Sequence, residues 1–111
     1  MAKQRNSKKI PTRVRPASIA SQIYALKEGE CCSRIIDIDD SVTVREIREN
    51  MTLWRKRAVA NTQSSIQHAK KRLGKEGIGR VFSIETSCYL SSSYSMSIIV
   101  IIRRESDYVE L

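Results

Sequence analysis

His68 is the single histidine of the chain, and the cysteines are three: Cys31, Cys32 and Cys88. A serine or cysteine nucleophile needs a base to take its proton, and His68 is the sole candidate. It stands between Gln67 and Ala69, with no carboxylate near it in sequence to orient the ring. The same four residues would have to supply any zinc site, and the paired spacings of such sites are missing. Cys31 and Cys32 are adjacent and poorly placed to bridge each other, so buried free thiols are expected. Asp37, Asp39 and Asp40 cluster at one place, where acids commonly organise a turn. Gly74-Lys75-Glu76-Gly77-Ile78-Gly79 lacks the Walker spacing and its Lys-Ser/Thr pair, and reads as a loop. The expectation is a non-enzymatic protein with no cofactor and no metal.

The chemistry on offer is cationic. Twenty Lys+Arg stand against twelve Asp+Glu, a formal charge of +8 in 111 residues. That excess points to a polyanionic partner. It is concentrated in two places. Residues 1–15 hold Lys3, Arg5, Lys8, Lys9, Arg13 and Arg15 with no acid. Residues 50–80 hold Arg55, Lys56, Arg57, Lys70, Lys71, Arg72, Lys75 and Arg80 against Glu76. Guanidinium and ammonium groups so grouped can neutralise phosphates and release their counterions. These fourteen residues are the candidate nucleic-acid contacts.

Three kinds of element must position them. Residues 1–16 are polar and basic, with Pro11 and Pro16, and bury too little to order alone; they read as a flexible basic arm. Residues 17–111 then form one small domain. Gln22–Leu26 and Cys31–Ile38, joined across Lys27-Glu28-Gly29-Glu30, read as a β-hairpin.

Thr43 and Glu46 make a capping box, with Val42 and Ile47 as its hydrophobic staple. From there Val44, Ile47, Met51, Trp54, Ala58, Ile66, Ala69 and Leu73 recur at helical spacing up to Gly74. The spacing predicts one long amphipathic helix over 44–73, unbroken at Asn61, with its cations turned to solvent. Alternation from Arg80 to Leu90 and from Tyr94 to Ile102, across Ser91-Ser92-Ser93, predicts a second hairpin. The fold expected is α+β: an antiparallel sheet of about four strands in β-β-α-β-β order, with the helix packed on it. Ile99 and Ile101 make the last strand apolar on both faces, which calls for a cover such as a second copy.

The functional expectation is a small protein that binds duplex DNA through phosphate contacts from arm and helix, as a dimer. Tyr24, Tyr89 and Tyr94 are too few for the stacking platform of single-strand or RNA binders. The competing expectation is a non-catalytic adaptor, inhibitor or assembly component that docks on an acidic protein. The N-terminal residues lack the apolar stretch of a secretory signal, and no run approaches a membrane span. The expected location is cytoplasmic, or with the nucleoid or nucleus if the partner is DNA.

Overall fold

The computed structural model describes residues 10–13 and 19–107. Its elements are α1 (Ala20–Ala25), β1 (Cys31–Asp37), α2 (Val44–Leu73), a 3-10 turn (Gly74–Gly77), β2 (Phe82–Leu90) and β3 (Met96–Arg104). The architecture is α+β, with a three-stranded antiparallel sheet in the order β1-β3-β2 and one long helix.

The long helix has the bounds its punctuation predicts. Glu46 N–H donates to Thr43 Oγ1 at 3.1 Å, and Thr43 N–H donates to Glu46 Oε1 at 3.3 Å. Two amides that the first turn leaves unpaired are thereby satisfied. At the far end Gly74 takes φ +63° and its N–H bonds Lys71 O. The chain does not break at Asn61. Thr62 is fully buried, and its hydroxyl donates to Ala58 O at 2.7 Å, so the polar stretch is absorbed within the helix. Trp54, Ala58, Thr62, Ile66 and Ala69 form the buried stripe, while Val44, at the exposed first turn, lies outside it.

The first hairpin is not there. Residues 20–25 form α1, so the order is α-β-α-β-β and the sheet has three strands, not four. Ile19, Ile23 and Leu26 all fall within the core, at 4%, 0% and 8% exposure. A three- and four-residue step puts all three on one helical stripe; strand alternation would divide them between two faces. A helix of six residues is too short to persist alone. It packs against α2, and Arg72 lies 5.0 Å from the centre of the Tyr24 ring. The turn Lys27–Glu30 still leads into β1, with Gly29 at φ +82° and its N–H bonded to Arg104 O.

β3 lies in the middle of the sheet, as its two apolar faces suggest. Ile98, Val100 and Ile102 are fully buried on the side of α2. Ile99 and Ile101 are half-buried on the other side, opposite Ile35 and Ser33 of β1. Both edges of β3 are taken by neighbours within the sheet. Thr12, expected in the arm, bridges Ile38 just past the end of β1.

Candidate nucleic-acid interface

Of the fourteen cations singled out in the sequence, Lys3, Arg5, Lys8, Lys9 and Arg15 lie outside the described residues. The other nine separate into two groups by what they touch.

Four are engaged within the protein. Arg13 sits 3.3 Å from Asp37 and 3.6 Å from Asp40, and donates to Ser95 Oγ at 3.2 Å. Arg55 donates Nε to Thr86 Oγ1 at 3.0 Å and an Nη to Thr86 O at 2.8 Å. Arg72 covers the Tyr24 ring, and Arg80 donates to Tyr24 O at 3.3 Å. A guanidinium is a planar fork of five donors, so it serves readily as a clip between elements.

Lys56, Arg57, Lys70, Lys71 and Lys75 form the second group. Among the described residues none of these five has an ion-pair partner, and all but the half-buried Lys70 are exposed. Elsewhere the cations do find acids: Arg45 pairs with Glu49, and Arg104 holds Asp107 at 2.8 Å. Among the described residues, charge is therefore matched in the first turns of α2 and around the ends of the sheet, and left without acid partners at these five positions from Lys56 onward.

The helix arranges four of the five in two rows, and Lys75 follows in the 3-10 turn. At 100° per residue Lys56 and Lys70 share a face, about 40° apart around the axis, as do Arg57 and Lys71, and each pair is separated by about 21 Å along the axis. The Lys56–Lys70 row borders a cleft between α2 and β2, where Thr52, Val59, Gln63 and Thr86 line one half. Ile66, Gln67, Arg80, Phe82 and Ile84 line the other half. Among the described residues no Asp or Glu lines either half.

Arg34 is a cation the sequence reading passed over. It shares the inward face of β1 with Cys32 and Ile36, its buried Nε has no partner among the described residues, and burial lowers its pKa. Its inward position in the strand alternation was the available signal. Cys32, on the same face, has its pKa raised by burial and then by Cys31 beside it. Among the described residues no group of three or more His, Cys, Asp and Glu is placed to hold a metal. Nor is any described helix long and apolar enough to cross a membrane.

No curated protein and no solved structure matches the chain. Residues 17–106 match a family described as a domain of unknown function (DUF7609), and the chain belongs to that family.

Proposed function

We propose that the protein binds nucleic acid, duplex DNA foremost, through phosphate contacts made by Lys56, Arg57, Lys70, Lys71 and Lys75, with residues 1–9 adding charge. The observation that carries this reading is the pair of cationic rows on α2, free of acid partners among the described residues, whereas Arg13, Arg45 and Arg104 each hold a carboxylate. A span of about 21 Å exceeds the roughly 12 Å width of a major groove, so one row reaches the backbones on both sides of it. A duplex suits this better than a single strand. Single-strand and RNA binders stack bases on aromatic residues of an open sheet face. Here that face carries Tyr89, with Tyr94 beyond it at the hairpin tip.

The reading includes a dimer through the sheet face turned away from α2. Ile35, 57% exposed, lies opposite Ile99 there, and Ile101 extends the patch. Sedimentation over a range of concentrations tests it: Ile99→Asp should give monomer, and a wild-type chain that stays monomeric throughout removes the dimer.

DNA binding is tested by titrating duplex DNA, single-stranded DNA and RNA at two salt concentrations. Each phosphate contact contributes about 0.9 to the slope of log affinity against log salt on duplex DNA. Changing Lys56, Arg57, Lys70 and Lys71 to Gln should flatten that slope and weaken all duplex sequences alike. Deleting residues 1–9 should flatten it further with the fold intact. An unchanged slope in both variants would refute the proposal.

A further inference from the structure

The cleft between α2 and β2 has a property that phosphate binding does not use: one wall is an edge of β2 that no strand among the described residues covers. Glu105 N–H donates to Val81 O at 2.8 Å on the β3 side, which sets the pairing phase of β2. Residues 83, 85, 87 and 89 therefore spend their backbone groups on β3. Residues 82, 84, 86, 88 and 90 turn theirs to the open edge, and their side chains to α2. Arg55 occupies the carbonyl of Thr86. Phe82 and Ile84 keep their edge N–H and C=O groups without a backbone partner among the described residues. Such an edge is a template for one more strand.

The surroundings select what that strand must be. Ile66, Phe82 and Ile84 give the cleft an apolar floor. Lys70 and Arg80 stand at one end, and Lys56 stands beside Arg55 at the other. Arg80 gives one Nη to Tyr24 O, but its buried Nε has no partner among the described residues, so a carboxylate brought to this end meets a guanidinium still short of an acceptor. A second copy of β2 is a poor occupant, because antiparallel pairing would bring two cationic ends together. A polynucleotide has no amide ladder to match the edge.

We propose that the open edge of β2 takes an extended acidic peptide segment of another protein as an added antiparallel strand. Its inward positions alternate: a carboxylate, two apolar residues on Phe82 and Ile84, then a second carboxylate. From Arg80 to Thr86 is six residues, or about 20 Å of strand. The two acids therefore stand six residues apart in the partner. The proposal rests on the backbone phase of β2 and on the lining of the cleft, and stands independently of DNA binding.

The probe is a fluorescein-labelled peptide, Glu-Thr-Val-Thr-Val-Thr-Glu, titrated against the full chain by anisotropy. Amide hydrogen exchange is followed at Phe82 and Ile84. Binding is expected to protect both amides. N-methylation of the two valines removes the donors facing β2 while keeping both charges, and should abolish that protection and weaken binding by at least about tenfold. Lys70→Glu with Arg80→Glu should cost a similar factor, and a peptide with Lys in place of Glu should not bind. Absence of binding by the Glu peptide, binding without protection, or equal affinity for the N-methylated form would each overturn the proposal. Equal affinity would reduce the cleft to a cationic surface.

Discussion

The Arg55 guanidinium lies across the open edge of β2 and holds Thr86 by two atoms, at 3.0 Å to Oγ1 and 2.8 Å to the carbonyl oxygen. It joins the middle of α2 to the middle of the strand, and it occupies a carbonyl that a passing strand would otherwise use. The opposite edge of the sheet is covered in a comparable way, since Arg13 N–H donates to Asp37 O at 2.9 Å. Both are devices that blunt an exposed edge.

Arg55→Met keeps most of the apolar stem and removes both bonds. Charge-assisted hydrogen bonds contribute about 1.5–3 kcal/mol when well sheltered, and this side chain is half-buried, so a loss of about 1–2 kcal/mol is expected in urea unfolding. Arg55→Lys should recover little of it, because one ammonium cannot reproduce the two-pronged fork. Wild-type stability in Arg55→Met would show that the clip is not a structural bond.

Thr43→Ala removes the oxygen that accepts from Glu46 N–H and leaves that amide to water. The expected cost is about 1 kcal/mol. A companion Glu46→Gln change should cost less, since an amide oxygen can still reach back to Thr43 N–H. Thermal or urea unfolding of both variants checks the order.

Gly77 and Gly74 should both resist alanine, for different reasons. A Cβ on Gly77 would stand 2.4 Å from Lys70 O, so the 3-10 turn must lift away from the last turns of α2. A Cβ on Gly74 would meet open space, but φ +63° strains any L side chain. We expect roughly 1–3 kcal/mol for Gly77→Ala and about 1 kcal/mol for Gly74→Ala. The first should also loosen exchange at amides near Lys70, and the second should not.

Cys32 should be the slowest of the three thiols to alkylate. Burial raises its pKa, and a thiolate at Cys31 raises it further. A raised pKa means less thiolate at any given alkaline pH, and the thiolate is the reacting form. Cys31 and Cys88 are exposed and should label first. The lag of Cys32 should shrink as pH climbs toward its own pKa; mass spectrometry of iodoacetamide time courses at two pH values reads this directly.

Local rules made much of the fold legible. The Thr43–Glu46 box and Gly74 bound α2 because capping depends on residues three or four apart, which the sequence displays. The Ser91–Ser93 turn and the alternation on either side gave β2 and β3 for the same reason. The segment 20–25 was not legible. Gln22–Leu26 has enough apolar residues for either element, and its six-residue helix exists through contact with α2, which no local window contains.

The candidate site divides in the same way. That α2 carries many cations and no acid from 50 to 75 is a property of the sequence alone, and so is the lack of a nucleophile–base pair or zinc spacing. Which of those cations are available was decided by tertiary structure. Arg55, Arg72 and Arg80 look like Lys56 and Lys71 in a list of charges. Long-range contacts hand Arg55 to Thr86, thirty-one residues away, and Arg72 and Arg80 to Tyr24. Sequence sets charge and periodicity, since these follow from residue type and the fixed geometry of helix and strand. Partnership, strand order and the open edge of β2 depend on which distant surfaces meet, and that is settled where burial of the whole core is greatest.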